Sequence, residues 1–121
     1  MSDVELQSKK FQKELSAGTV SFLLLATLAK AGEPLYGYQI AKQLEQAGEG
    51  VLAGKQSALY PVLRNMDAGG LLQSEVEPSV AGPPRRYYRI TALGREVFST
   101  WRDMWQQTQQ LVDTVLEGAP K

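Results

Sequence analysis

The sequence predicts a mainly α protein with a small β-hairpin. Three observations carry that expectation: successive segments with apolar residues at helical spacing, two short alternating segments around a proline- and glycine-rich turn, and a long closing run free of helix breakers. With 121 residues, 43% of them apolar, the chain has the size of one domain with one modest core.

In the first helical segment, Leu15 to Lys30, Phe22, Leu25, Leu28 and Ala29 fall at helical spacing, and Leu23 and Leu24 widen the apolar surface almost all the way round. This reads as the central buried helix, preceded by a flexible N-terminal segment, 1–14. Ala31-Gly32-Glu33-Pro34 stops it, and a second helix is expected from about Leu35 to Gln46, with Ile40, Ala41 and Leu44 inward and Gly48 and Gly50 ending it. A third begins near Lys55 to Ser57 and runs to about Ala68, placing Leu59, Val62, Leu63 and Met66 on one face before Gly69-Gly70. Pro61 has no N–H to give, so it belongs near the amino-terminal turn of that helix or at a bend.

Leu72, Ser74 and Val76 then alternate with Gln73, Glu75 and Glu77, which is the period-two pattern of a strand with one wet face. A second strand is expected over Arg85 to Thr91, and Pro78 to Pro84 forms the tip between them. From Ala92 a helix continues to about Glu117, roughly 25 residues and nearly 40 Å long, too long for so small a domain to cover. Val97, Trp101, Met104, Thr108, Leu111 and Val115 recur at alternating spacings of four and three, with Phe98, Trp105 and Val112 widening the stripe. Such a stripe wants a partner helix. The expected organisation is therefore 1–14 leader, 15–91 domain, 92–117 dimerisation helix and 118–121 tail.

Composition excludes much chemistry. Cysteine and histidine are both absent, which removes disulfides, Cys/His zinc sites and every device built on imidazole or thiolate. The carboxylates are scattered and no P-loop or dinucleotide-binding glycine pattern occurs, so no catalytic residue, metal site or cofactor is expected. Met1 to Glu14 is polar and mixed in charge, unlike a signal peptide, and the longest uninterrupted apolar stretch, Phe22 to Ala26, is far short of the roughly 20 residues that span a bilayer. The expectation is a cytoplasmic protein without a membrane partner.

Thirteen basic and thirteen acidic residues cancel, yet their distribution is uneven. Met1 to Gly54 holds five basic and six acidic residues, Lys55 to Arg95 six and three, and Glu96 to Lys121 two and four. The middle third carries the positive excess, as a DNA-binding face on a neutral or acidic scaffold would. Three short helices followed by a hairpin is the winged version of helix-turn-helix, whose third helix enters the major groove. On that helix Gln56, Ser57, Tyr60 and Arg64 lie off the apolar face, and all have groups that contact phosphates or base edges. The bland alternative packs Tyr60 flat and pairs Arg64 with Asp67. Arg85 and Arg86 follow the proline turn, where a minor groove or phosphate is in reach; alternatively Glu75 or Glu77 pairs with one of them. Tyr87 and Tyr88 point to opposite faces, one inward and one outward.

These residues also carry a resemblance. Leu35-Tyr36-Gly37-Tyr38-Gln39-Ile40-Ala41 is similar to the LYGYEIA opening of the second helix in PadR-family regulators, and Leu59-Tyr60-Pro61-Val62-Leu63 resembles their LYPxL recognition-helix motif. Gly82 to Thr91 resembles the wing signature GPPRKYYxLT, with Gly94 matching the glycine beyond it. The resemblance spans roughly Leu15 to Trp105. It implies a winged helix-turn-helix with a C-terminal dimerisation helix, a sequence-specific DNA-binding regulator, and a homodimeric repressor reading two half-sites of near-palindromic double-stranded DNA. The residues it carries over are Tyr36, Ser57, Tyr60, Arg64, Arg85 and Arg86; Lys55 and Gln56 complete the DNA-binding candidates. Ser57-Ala58 departs from the Gly-Thr pair more usual before LYP, so the operator sequence does not transfer.

The dimer interface is expected to use Val97, Trp101, Met104, Trp105, Thr108, Leu111, Val112 and Val115. The resemblance further implies an effector, because some short relatives bind flat aromatic molecules between subunits beside a tryptophan, where Trp101 stands with Met104 and Trp105 near it. Composition alone favours simple packing for those tryptophans. The competing reading of the whole chain, favoured by its zero net charge, is a winged helix used only for protein contacts.

Overall fold

The computed structural model describes residues 1–48 and 58–121. The elements run α1 (Asp3–Ala31), β1 (Leu35–Tyr36), α2 (Gly37–Ala47), α3 (Leu59–Ala68), β2 (Leu72–Glu77), β3 (Arg85–Ile90) and α4 (Ala92–Leu116). The expected helical start at Lys55 to Ser57 falls outside the described residues.

Two expectations need correction. The segment 1–14, read as a flexible leader, is helical from Asp3 and continuous with the central helix. Ser2 caps it by accepting the Glu5 N–H at 3.1 Å, Asp3 and Glu5 occupy the positive end of the helix dipole, and the polar residues that follow are mostly strong helix formers. Leu35 and Tyr36, read as the start of the second helix, are instead a short strand, which makes the hairpin a three-stranded antiparallel sheet in the order β1-β3-β2. Leu35 pairs with Tyr88 and Tyr36 with Tyr87, so the edge of β3 recruits two residues that follow Pro34 before α2 begins at Gly37.

The core gathers Leu24, Leu25 and Leu28 of α1, Leu35, Ile40 and Leu44 around α2, Leu63 and Met66 of α3, and Leu72 and Tyr88 of the sheet. Each fully buried leucine contributes roughly 2 kcal/mol of transfer free energy. The C-terminal half of α1 is thus the axis on which the other helices pack. By length and apolarity α1 also matches a membrane-crossing helix; within it Leu24, Leu25 and Leu28 are buried in this core.

The Gly69-Gly70 stop works through backbone bonds. Gly70, at φ 81°, donates to Asp67 O at 3.0 Å and Leu71 to Met66 O at 2.9 Å, the two bonds of a Schellman turn. This reverses the chain so that β2 runs back beneath the last turn of α3. β2 and β3 pair from Leu72↔Ile90 to Glu77↔Arg85. Thr91 then caps α4, accepting the Gly94 N–H at 3.0 Å, and Pro61 sits in the first turn of α3, where its missing N–H costs nothing.

α4 leaves the domain as expected. Val97, Phe98 and Trp101 pack against the core, with the Phe98 ring 5.6 Å from that of Phe22. Beyond them Met104, Trp105, Thr108, Leu111, Val112 and Val115 are exposed.

Candidate nucleic-acid interface

α3 divides its surface by helical spacing. Leu63 and Met66 face the core, while Tyr60 and Arg64 are exposed one turn apart, and Asp67, half-buried, continues their row toward the sheet. The Tyr60 ring lies against the backbone of Gly37 at the start of α2: a Cβ there would stand 2.3 Å from Tyr60 Cε1. That close approach is what the glycine of the Leu35 to Ala41 motif permits, and it seats the Tyr60 ring where α2 and α3 meet.

The wing is joined to the same corner through aromatic rings. Tyr36 and Tyr87, register partners, meet edge to face at 5.5 Å, and Tyr36 stacks on Tyr38 at 6.3 Å. The Arg85 guanidinium lies 4.6 Å over the Tyr36 ring, a cation–π contact that holds the long side chain in place. Tyr36 thus shapes the surface as a platform for Arg85. Gln39 Oε1 accepts the Tyr36 N–H at 3.1 Å, fixing the turn between β1 and α2.

Arg86 is oriented by a different device. Its Nη1 donates to Ser74 Oγ at 3.0 Å, and Ser74 Oγ donates to Asp67 Oδ2 at 2.5 Å. Asp67 therefore engages the wing, and Arg86 bonds Ser74 of the neighbouring strand, where the sequence had offered Glu75 or Glu77 as partners. Arg89 donates to Gln73, its register partner, at 2.9 Å. Tyr88 is the inward member of its pair, and burial pushes its phenol above the ordinary value of 10.0; Arg86 and Arg64 oppose that shift, and Asp67 and Tyr60 add to it.

Together Tyr36, Gly37, Tyr38, Tyr60, Arg64, Pro84, Arg85, Arg86 and Tyr88 line an open cleft of about 430 Å³. Three guanidinium groups and four phenols converge on it from four elements, β1, α2, α3 and β3, with Pro84 added by the hairpin loop and no carboxylate among the described lining residues. Five of the eight DNA-binding candidates come together here; Lys55, Gln56 and Ser57 lie outside the described residues. Tyr38, Pro84 and Tyr88 were not singled out. Tyr38 stands inside the motif that contained Tyr36, but only the sheet register brings it beside the wing. Among the described residues no cluster of three metal-ligating side chains occurs.

Three helices and a wing, with a basic cleft between the third helix and that wing, define a winged helix-turn-helix protein. Residues 24–100 match the Transcriptional regulator PadR-like family, and the chain belongs to it. It is 34% identical over 88 residues to Transcriptional regulator Rv3488 of Mycobacterium tuberculosis, covering 73% of this chain and 76% of that one. The crystal structure of a PadR family transcriptional regulator from Eggerthella lenta superposes with a TM-score of 0.81 at 31% identity, over 95% of this chain and 96% of that one. A PadR-like transcriptional regulator from Bacillus cereus is similar at a TM-score of 0.72 and 26% identity, over 87% and 98% of the two chains. The protein is a transcription regulator of this family.

Proposed function

We propose that the chain is a sequence-specific DNA-binding repressor that acts as a homodimer in the cytoplasm, without enzymatic activity, and is released by a small-molecule effector. The observation that carries the reading is the convergence of Tyr60 and Arg64 on α3 with Arg85 and Arg86 on the wing around one cleft. Arginine in that setting matches phosphate geometry bidentately, and the tyrosines add hydroxyls and ring faces for backbone contact. α3, with the Lys55 to Ser57 positions at its amino-terminal side, enters the major groove while the wing holds the flanking backbone.

Dimerisation is supported by two exposed apolar stripes. Met104, Trp105, Leu111, Val112 and Val115 line α4 beyond the core, and Val4, Phe11 and Leu15 line the first turns of α1. A two-fold pairing through them sets the recognition helices roughly 34 Å apart, one turn of DNA, and makes the operator near-palindromic. The effector reading rests on the family resemblance and on the half-buried Trp101 with exposed Met104 and Trp105 beside it: a planar aromatic molecule held there changes the spacing of the recognition helices. Unchanged tryptophan fluorescence across a broad panel of planar compounds would rule that part out.

Gel-shift titration against the DNA upstream of the chain's own gene, at two salt concentrations and with a scrambled duplex as control, tests the central proposal. Specific retardation that weakens with salt supports it. Failure to bind either duplex at low salt would leave the protein-contact reading, which the zero net charge favours, in its place.

A further inference from the structure

The bonds Arg86 to Ser74 and Ser74 to Asp67 join three elements: the last turn of α3, the middle of β2 and the start of β3. Their placement follows from the fold. Ser74 is the register partner of Tyr88, so Arg86, two residues earlier on β3, shares its face of the sheet, and that is the face the Schellman turn brings beneath Asp67. Ser74 and Asp67 are half-buried while Arg86 is exposed in the cleft.

We propose that Asp67 and Ser74 are positioning residues for DNA binding, forming a relay that aims the Arg86 guanidinium at a backbone phosphate seated in the cleft between α3 and the wing. This rests on the DNA-binding reading of the cleft. A guanidinium has five N–H donors in a rigid plane. The Nη1 bond to Ser74 uses one of them and fixes the plane, and the remaining edge suits a phosphate bidentately. Asp67 holds the Ser74 proton on its own side, so that Oγ offers its lone pairs to Arg86. Holding a long side chain in its bound geometry before DNA arrives removes part of the ordering cost of binding. It also ties the wing to the recognition helix, so that the two approach the duplex as one body.

The relay makes a prediction of unusual sign. Asp67 is an anion close to a polyanion's seat, and a mere bystander there weakens binding; replacing it with alanine would then tighten the complex. If Asp67 acts through Ser74 and Arg86, the same substitution loosens it.

The experiment titrates the full-length parent, Asp67→Ala, Ser74→Ala, Ser74→Thr and the Asp67→Ala/Ser74→Ala double variant against the duplex upstream of the gene, at two salt concentrations, with far-ultraviolet circular dichroism melts on each. The relay predicts roughly three- to tenfold weaker binding for Asp67→Ala and for Ser74→Ala, a double variant no worse than the weaker single one, and near-parental affinity for Ser74→Thr, which keeps the hydroxyl. The salt slope of Ser74→Ala stays near that of the parent, because the Arg86 charge remains, whereas Arg86→Ala lowers it by about one. Parental or tighter binding by folded Asp67→Ala, or equal affinity for Ser74→Ala and the parent, overturns the relay alone. A parent that binds neither this duplex nor a scrambled one overturns the DNA-binding reading and the relay with it.

Discussion

Substituting Gly94 with alanine tests the joint between the sheet and the last helix. A Cβ at this position would stand 2.2 Å from Leu71 O and 2.8 Å from Ile90 Cγ1. Ordinary C···O contacts lie near 3.3 Å or beyond, so the two backbones must part by roughly 1 Å. Leu71 O accepts the Thr91 N–H at 3.1 Å, and that displacement breaks this bond, whereas the Thr91 hydroxyl keeps its closer acceptor, Gly70 O at 2.6 Å. One lost hydrogen bond costs about 1 kcal/mol. Overpacking adds about 1–3 kcal/mol. The better helix propensity of alanine returns about 1 kcal/mol, leaving a net loss of roughly 1–3 kcal/mol.

For a chain of this size that loss lowers the melting temperature by roughly 4–12 °C. Thermal unfolding followed by circular dichroism at one fixed protein concentration reads it, since association would make the midpoint concentration-dependent. Gly18→Ala is the matched control: it lies within α1 with nothing within 4 Å of its added Cβ, so it should stabilise by about 0.5–1 kcal/mol. A Gly94→Ala protein melting within about 2 °C of the parent would refute the reasoning, because α4 would then be free to shift away from the β2–β3 joint.

Gly37→Ala should displace the Tyr60 ring, which is partly exposed and able to swing outward; the melt should fall by less than for Gly94→Ala, while affinity in a gel shift drops about tenfold. Leu111→Glu, on the exposed stripe of α4, should shift sedimentation equilibrium from dimer to monomer without unfolding the winged domain, and it should abolish high-affinity binding to a two-half-site duplex. Alkaline unfolding should expose the raised Tyr88 phenol. Below its ordinary value of 10.0 both folded and unfolded chains hold the proton; above it the unfolded chain releases the proton first, so stability declines as pH rises from there through the folded-state value. Denaturant titrations at stepped pH should show a shallower decline in Tyr88→Phe than in the parent.

The cleft explains how a chain of zero net charge presents a basic surface. Arg64, Arg85 and Arg86 converge on it, and Asp67, which reaches Arg86 through Ser74, is turned toward that hydroxyl. Meanwhile the carboxylates of α1 and α4 sit on elements that do not line it. Because fields at a surface fall off over about 10 Å at moderate salt, local arrangement governs a polyanion's encounter more than the total does.

Much of this protein was legible in one dimension. Helical spacing located the buried faces of α2 and α3, alternation located β2, the proline- and glycine-rich turn placed β3 after it, and the start of α4 at Ala92 followed from the unbroken run after the second strand, since each of these signals arises from local periodicity and local backbone preference. Family motifs likewise pointed to Tyr36, Tyr60, Arg64, Arg85 and Arg86. Other features depended on contacts between distant segments. Leu35 and Tyr36 are a strand only because β3 offers an edge to pair with, whereas the helix over residues 3–14 has a local signal, the Ser2 cap ahead of Asp3 and Glu5, which the polarity of the segment masks. Val97 and Trp101 belong to the same stripe as Leu111, yet they pack on their own core because α4 crosses α1 there. Ser74 and Asp67, the partners that orient Arg86, carry no motif. Periodicity states which face a residue occupies, but only the turn after α3 and the register of the sheet decide which faces meet.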